Sequence, residues 1–278
     1  MGTLYLVATP IGNLGDISAR ALEILESVDL IAAEDTRRTL QLLNHFNIAK
    51  PLTSYHEHNK RSKGEYLIGL LKEGKDIAQV SDAGTPAISD PGEDLVKLCI
   101  ENDITVTSVP GPVAGINALI LSGFDTTRFA FEGFLSVNKR HRRERLDEVR
   151  DDRRTLIFYE APHKLRATLA DMAEAFGGNR RIALVRELTK LHEEVIRTDL
   201  DGAKARYEEA PPRGEYVLVI EGAKETAEDE TAWWSEMSVT EHVDAYIERG
   251  MASKDAIKQA AADRGAPKRE IYNEYHKG

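Results

Sequence analysis

Residues 81–92, SDAGTPAISDPG, come directly after the short run IAQV at residues 77–80. The run has the length and the branched residues of a buried strand, and the loop after it is built of small residues, Gly and Pro. In open α/β sheets, ligands bind outside the carboxyl ends of the strands, where this loop would lie. The segment therefore predicts an α/β protein with a small-molecule site, in which Asp82 and Thr85 can form hydrogen bonds with the ligand. The alternative is a tight turn that uses Gly and Pro only for its geometry.

Strand-like and helix-like segments alternate on both sides of this loop. The other strand-like runs of the first half lie at residues 4–8, 30–33, 52–55 and 105–109. This alternation predicts a mostly parallel, buried sheet. Two further loops of small residues, 9–16 and 110–115, also follow predicted strands, which favours a ligand site over a simple turn.

The second half has its own alternation after Pro110, Gly111 and Pro112, where we expect a domain boundary. Predicted strands lie at residues 129–134, 155–159, 182–187 and 216–220. They predict a second α/β layer with a more mixed sheet. The aromatic side chains of the first of these strands alternate, and we expect them in the core: Phe129, Phe131 and Phe134.

The C-terminal part differs in composition from the rest. An acidic, polar segment at residues 222–231 predicts a linker, and three short amphipathic segments follow it at residues 241–249, 253–264 and 267–276. Two helices joined by a tight turn at Gly265 are typical of a helix-turn-helix, but a docking or dimerising bundle is an equal alternative. We therefore expect an N-terminal domain, a second domain and a helical extension at residues 1–111, 112–222 and 223–278.

Composition excludes several classes of protein. The chain has 278 residues and a single cysteine, which excludes an internal disulfide and a cysteine-rich zinc site. No apolar run approaches the roughly 18 residues of a membrane span, and the first residues lack the pattern of a signal peptide. We expect a cytoplasmic protein without membrane contact. His56 and His58 could bind a metal, but no further ligand cluster lies near them in the sequence, so we predict no metal.

Net charge is −10, which argues against general nucleic-acid binding. One short basic stretch nevertheless suits local contact with RNA phosphates: Lys139, Arg140, Arg142, Arg143 and Arg145. A solvated helix face is the alternative. We expect a helix to follow this stretch near Leu146.

Common nucleotide and acyl-transfer motifs are absent from the sequence. It contains no G-x-x-x-x-G-K-[ST] and no G-x-G-x-x-G after the first strand, so P-loop and dinucleotide sites are not expected. No G-x-S-x-G motif supports a nucleophilic serine. These patterns locate a ligand site without identifying the ligand.

Eight segments in fixed order identify a family resemblance. They are LYLVATPIGNLGDIS, AAEDTRRT, SYHEHN, SDAGTPAISDPG, VPGPVAG, FEGFL, FYEAPHKL and RELTKLHEE. Together they closely resemble the ribosomal RNA small subunit methyltransferase I family, part of the tetrapyrrole methylase superfamily. The resemblance runs from Leu4 to about Gly222, and the tail is similar to the C-terminal helical extension of that family.

The resemblance implies a fold, a reaction and a donor site. The family has two α/β domains with the ligand cleft between them, usually forms a homodimer, and transfers a methyl group from S-adenosylmethionine to the ribose 2′-hydroxyl of a cytidine in 16S ribosomal RNA. The substrate is the RNA or the 30S subunit. Carried onto this chain, the donor site would comprise Pro10, Ser81, Asp82, Gly84, Thr85, Val113, Ala114, Tyr159, Leu188, Gly214, Glu215 and Tyr216.

A ribose hydroxyl is weakly acidic, so a nearby base or cation should assist its attack on the methyl carbon. Spacing does not choose among the candidates, which are Glu34, Asp35, Arg37, Glu57 and Lys164. Two other functions remain open at this point: a methyltransferase of small tetrapyrrole-type molecules, and a non-catalytic protein that binds RNA or assists ribosome assembly.

Overall fold

The computed structural model describes residues 1–224, 234 and 236–276. It divides into two compact units, Met1–Gly222 and Ala223–Gly278. In the described part of the chain, no helix is long and apolar enough to span a bilayer. The two sheets below both lie in the first unit; their separation into two domains near residue 111 stays a prediction.

The first sheet has five parallel strands in the order β3-β2-β4-β1-β5. The strands are β1 Thr3–Val7, β2 Leu30–Ala33, β3 Leu52–Ser54, β4 Ile77–Val80 and β5 Thr105–Val109. Every residue of β4 is buried, as expected for a central strand with helices on both faces. The predicted parallel sheet is confirmed.

Helices cover both faces of this sheet. Leu25 of α1 and Leu43 of α2 share one apolar core with Val80, and Leu67 of α3 and Leu95 of α4 share another on the opposite face. The helices are α1 Ala19–Ser27, α2 Thr36–His45, α3 Lys60–Lys72 and α4 Gly92–Glu101.

The second sheet is mixed, as predicted, with strand order β6-β7-β10-β8-β9. Only β6 and β7 are parallel; the other neighbours are antiparallel. The strands are β6 Phe129–Phe134, β7 Thr155–Glu160, β8 Arg181–Arg186, β9 Glu194–Asp199 and β10 Tyr216–Ile220. Sequence reasoning missed β9, because EVIRTD is a polar edge strand without a fully buried residue.

One helix packs on one face of the second sheet and three on the other. Leu119 of α5 packs with Ile157 and Val219, whereas Leu146, Leu169 and their neighbours pack on the opposite side of the sheet. The helices are α5 Ala114–Ser122, α6 Lys139–Glu148, α7 Pro162–Phe176 and α8 Leu200–Glu209. The basic stretch forms α6 itself, so the expectation that it precedes a helix near Leu146 was wrong.

The phenylalanines of β6 are exposed, contrary to expectation. Phe129, Phe131 and Phe134 are 39%, 38% and 58% exposed. Helix α5 packs mainly on β7, β8, β9 and β10, and β6 is an edge strand, so the helix covers these aromatic rings only in part. Period-2 alternation predicts which face a side chain occupies but not whether a helix covers that face.

The second unit contains the three predicted helices: α9 Val239–Glu248, α10 Ser253–Asp263 and α11 Lys268–Tyr275. Ser238 and Glu241 form a capping box at the start of α9. Val243, Ile257 and Ile271 contribute one side chain from each helix to a small core. Residues 225–231 of the predicted linker lie outside the described residues.

Candidate active site

Three loops of small residues lie side by side at one edge of the first sheet. Strands β4, β1 and β5 are neighbours and parallel, so the loops after them leave at the same edge. Thr9 and Gly84 exchange backbone hydrogen bonds of 2.9 and 3.0 Å, and the Thr85 hydroxyl donates to the Pro112 carbonyl over 3.2 Å. The predicted donor-site residues of these loops therefore share one continuous surface.

Gly84 is needed at the centre of this surface. Its φ is +84°, a conformation that favours glycine. A Cβ placed there would lie 3.2 Å from Ile11 Cγ2 and 3.5 Å from the Pro112 carbonyl oxygen. The absence of a side chain lets the loop after β4 approach the loops on both sides of it.

The second sheet contributes an apolar wall. Ile11, Ala114, Tyr159 and Leu188 belong to one apolar cluster, which brings the loops after β1 and β5 together with β7 and the end of β8. The Tyr159 hydroxyl accepts a hydrogen bond from the Gly115 amide at 3.0 Å. Burial raises the pKa of Tyr159, so this phenol is neutral at physiological pH.

The turn after β8 is tied to the loop before β10. The Glu187 carboxylate accepts hydrogen bonds from the Glu215 amide and from Lys190 Nζ, each over 2.9 Å, and Lys190 also pairs with the Glu215 carboxylate over 2.8 Å. This arrangement positions Gly214 and Glu215 near Leu188. Glu187 and Lys190 were not predicted, although both lie within the RELTKLHEE segment.

Thr189 in the same turn has an unusual environment. Its φ is +67°, which is rare for a β-branched residue, and its hydroxyl is buried without a hydrogen-bond partner among the described residues. A Cβ on Gly12 would come within 2.8 Å of that hydroxyl oxygen. The loop after β1 and the turn after β8 therefore approach each other closely.

Tyr216 is not brought to this cluster. Its side chain is buried on the opposite face of the second sheet, and its hydroxyl accepts from the Arg213 amide at 3.3 Å. It lines a different cavity of about 350 Å³ together with Arg186, Arg206 and Tyr207. The Tyr216 side chain therefore lies away from the other predicted donor-site residues.

The acidic and basic residues after β2 meet the loop after β4. Asp82 Oδ1 accepts from the Asp35 amide at 2.9 Å, and Asp82 Oδ2 pairs with Arg38 Nη1 at 3.1 Å. Glu34 lies half-buried at the same point. Its pKa is raised by burial first and then by the negative charges of Asp82 and Asp90. Arg38 was not among the predicted residues.

Asp35 and Arg37 form an ion pair with each other beside this group. Hydrogen bonds from Arg37 hold the pKa of Asp35 at about 2, and the Arg37 side chain is 88% exposed. Glu57 is also exposed and pairs with Lys60 at 2.8 Å, and Lys60 in turn pairs with Asp94. Asp35 is therefore a poor base, because Arg37 already stabilises its ionised form.

Lys164, His56 and His58 make few contacts that would indicate a role in the site. Lys164 is half-buried in the first turn of α7, and we find no ionic partner for its ammonium group among the described residues. The rings of His56 and His58 are 6.0 Å apart. Within residues 1–224, 234 and 236–276, no group of three or more His, Cys, Asp or Glu side chains could hold a metal ion.

Most of the basic residues of α6 are neutralised by carboxylates. Arg142 is buried against Asp171, with a 2.6 Å contact, and Arg143 binds Asp171 and Glu174. Arg145 binds Glu132 and Glu148, and Arg140 binds Glu144. A buried guanidinium cannot reach RNA phosphates, so Arg142 does not fit the predicted contact. Lys139 and Arg140 remain on the exposed side.

A cavity of about 380 Å³ opens beside the donor-site residues, between the loop after β1 and helix α2. Its walls include Pro10, Ser81 and Asp82 from the predicted donor site. Helix α2 and the turn after β1 supply the rest, including Leu14, Arg38, Gln41, Leu42 and His45.

Comparison with known proteins identifies the family. A family model described as tetrapyrrole (corrin/porphyrin) methylases matches residues 3–204. Ribosomal RNA small subunit methyltransferase I of Halalkalibacterium halodurans is 54% identical over 275 residues, which cover 99% of this chain and 95% of that protein. The protein of the same name from Bacillus subtilis is 50% identical, with 99% and 94% covered.

Solved structures share the fold at low sequence identity. Diphthine synthase aligns with a TM-score of 0.62 and 13% identity, covering 80% of this chain and 90% of that one. Uroporphyrin-III C-methyltransferase from Thermus thermophilus, complexed with S-adenyl homocysteine, aligns with a TM-score of 0.57 and 13% identity, covering 79% and 97%. Given the family model and the relatives that match almost its whole length, the chain belongs to the ribosomal RNA small subunit methyltransferase I family of tetrapyrrole methylases.

Proposed function

We propose that this protein is an S-adenosylmethionine-dependent methyltransferase that methylates the ribose 2′-hydroxyl of a cytidine in 16S ribosomal RNA. The observation that carries the proposal is the convergence of three small-residue loops with Tyr159 and Leu188 at one edge of the first sheet. The names of the relatives support ribosomal RNA as the substrate, and a ribosomal substrate supports action in the cytoplasm.

The residues present fit an adenosyl ligand with an amino-acid tail. Ala114 and Leu188 offer apolar contacts for a flat base, and Gly84 lets the three loops pack closely enough to form one binding surface. The buried, unpartnered Thr189 hydroxyl is free to bind a polar group. The donor, when bound, supplies an electrophilic methyl group on a sulfonium. Positioning of the attacking oxygen is therefore the main task of the protein.

Glu34 is the best candidate for the base. Its raised pKa makes it a stronger proton acceptor than an ordinary carboxylate, and its ion-paired neighbour Asp35 is weakened as a base by Arg37. In this mechanism, the Glu34 carboxylate would accept the proton of the ribose hydroxyl as its oxygen takes the methyl group, and the donor would leave as S-adenosylhomocysteine. Lys164, with its ammonium group free of an ionic partner in the described part of the chain, is a candidate for stabilising charge on the substrate.

We propose that Lys139 and Arg140 contact the RNA backbone from the start of α6. Both are exposed, and Arg140 is held by Glu144 through a single 2.7 Å pair that leaves its side chain 84% exposed. Arg143 and Arg145 are only partly exposed and each already binds two carboxylates. Their contribution to phosphate binding should be smaller for that reason.

We also propose that the protein is a homodimer, as the family resemblance implies, and that its interface includes the exposed apolar surface beside β6. Ile116 and Ile120 on α5 are 39% and 64% exposed, and they lie on the same side of the sheet as Phe131 and Phe134. Exposed apolar surface of this kind is typical of a protein interface. A second copy of the chain would bury it with the same residues on both sides.

Sedimentation of the Ile120→Glu and Phe134→Glu variants tests this interface. Each variant should sediment as a monomer at concentrations at which the wild type is a dimer. A Phe134→Glu variant that stays dimeric but loses RNA binding would indicate instead that Phe134 stacks on a base.

Methylation mapping tests the function itself. Purified protein would be incubated with tritiated S-adenosylmethionine and 30S subunits that lack the modification, and the RNA would be digested and analysed by mass spectrometry. We expect a single 2′-O-methylcytidine in 16S RNA, with donor binding that chelators do not affect. RNA binding without methyl transfer would indicate an assembly protein, and transfer to porphyrinoid precursors would indicate a small-molecule enzyme.

A further inference from the structure

The cavity beside α2 has no wall from the loop after β5, and helix α2 supplies most of its polar groups. Arg38, Gln41 and His45 lie three and four residues apart along α2, so they occupy one face of that helix. All three line the cavity of about 380 Å³. The opposite wall is the loop after β1, with Pro10 and Leu14.

Arg38 is held in place by the donor-site loop. Its guanidinium pairs with Asp82 Oδ2 at 3.1 Å, and the other Asp82 oxygen accepts from the Asp35 amide. The Arg38 side chain is still 65% exposed, so solvent or a ligand can reach it. Arginine in this position can bind a phosphate in addition to its carboxylate partner, because the guanidinium carries five N–H donors.

Gln41 and His45 offer groups that suit a nucleobase. In the part of the chain that the structure describes, the Gln41 amide makes no hydrogen bond, and the His45 ring lies 4.8 Å from the Phe46 ring between centroids. An amide has both a donor and an acceptor for the edge of a base, and an imidazole ring can stack on its face. Leu14 and Leu42 add apolar contacts on the same walls.

We propose that this cavity receives the target nucleotide of the RNA, with Arg38 on its phosphate and Gln41 and His45 on its base. The inference rests on the proposed function and names the substrate site within it. The cavity volume lies at the low end of the range for small-molecule sites, which suits one nucleotide turned out of its strand. Pro10, Ser81 and Asp82 are shared walls, so a nucleotide there would adjoin the methyl donor.

Two variants test the cavity without disturbing the fold, because both side chains are exposed on α2: Gln41→Ala and His45→Ala. The matched control is Asn44→Ala, which changes an exposed side chain of the same helix outside the cavity. The measurements are kcat/KM for methylation of 30S subunits and the Kd of S-adenosylhomocysteine by calorimetry. We expect kcat/KM to fall about tenfold in each cavity variant, the range for losing one base contact. The Kd should stay within about twofold of the wild type, and Asn44→Ala should match the wild type in both measurements.

The outcomes separate this proposal from the proposed function. If the wild type methylates 30S subunits and the cavity variants do so equally well, the nucleotide site is overturned and the function stands. If S-adenosylhomocysteine affinity falls as much as kcat/KM, the cavity belongs to the donor and the inference is overturned. If the wild type transfers no methyl group to 30S subunits, the proposed function fails, and the assignment of an RNA nucleotide to the cavity fails with it.

Discussion

Replacing Gly84 by alanine should damage the donor site more than it damages the fold. Gly84 has a φ of +84°, and an alanine Cβ there would lie 3.2 Å from Ile11 Cγ2, closer than most real Cβ contacts. The left-handed conformation costs a non-glycine residue about 1–2 kcal/mol. We expect the free energy of unfolding to fall by that amount, which lowers Tm by about 2–4 °C per kcal/mol in a unit of this size.

The effect on ligand binding follows from the crowding at Ile11. That side chain must shift by a few tenths of an ångström, and it belongs to the same apolar cluster as Ala114 and Leu188. The loop after β4 is also joined to the loop after β1 through the Thr9–Gly84 backbone hydrogen bonds. We expect the Kd of S-adenosylhomocysteine to rise about tenfold, which corresponds to about 1.4 kcal/mol.

Gly123→Ala is the matched control. Gly123 has a φ of +76° at the C-terminal end of α5, and a Cβ there would meet nothing within 4 Å. This variant bears the same conformational cost without touching the site, so calorimetry should give the wild-type Kd while scanning fluorimetry gives a similar loss of Tm. Equal donor affinity in both variants would refute the assignment of the loop after β4 to the donor site.

Two further predictions concern the base and the basic helix. Because the pKa of Glu34 lies above its ordinary 4.5, its ionised form is lost as pH falls through that raised value. The wild-type kcat/KM should therefore decline as the pH is lowered. Glu34→Gln should abolish this decline and lower kcat/KM about a hundredfold or more. A variant with the same pH profile as the wild type would exclude Glu34 as the base. Arg142→Ala removes a buried ion-pair partner of Asp171 and should lower the free energy of unfolding in urea by about 3 kcal/mol. Changing Lys139 and Arg140 to Ala should leave the free energy of unfolding unchanged and should reduce the salt dependence of RNA binding. A stable Arg142→Ala variant with a lower salt slope would reverse these two roles.

The sequence predicts the edge of the sheet at which the site lies, because that edge depends only on the direction in which the strands run. Apolar runs that alternate with helices predict parallel strands, and all carboxyl ends of parallel strands meet at one edge. The loops after β1, β4 and β5 could therefore be grouped before the structure was known. Their adjacency, in the order β4-β1-β5, is a matter of topology that the motifs do not encode.

Coverage by neighbouring elements is harder to predict. Phe131 alternates as a core residue does, yet it lies on an edge strand that α5 covers only in part, and it is 38% exposed. Arg142 belongs to a basic run that suits RNA, yet it turns inward to Asp171, a partner 29 residues away. In both cases a distant element decides the exposure of the side chain, and local pattern carries no information about it.

Which side chains of a motif face the site depends on the rotation of the helix or the register of the strand that carries them, and the sequence does not determine either. Successive helical residues point about 100° apart, so of the adjacent arginines in EDTRRT only one can face the loop after β4. The Asp35 side chain caps α2 and binds Arg37. The Asp82 carboxylate, 47 residues further along the chain, accepts a hydrogen bond from the Asp35 amide and forms an ion pair with Arg38. Tyr216 illustrates the same limit in a strand, where a shift of one residue moves the side chain to the other face. A motif thus identifies the segment that reaches the site. Contacts between that segment and distant parts of the chain then determine which of its side chains face the site and can act there.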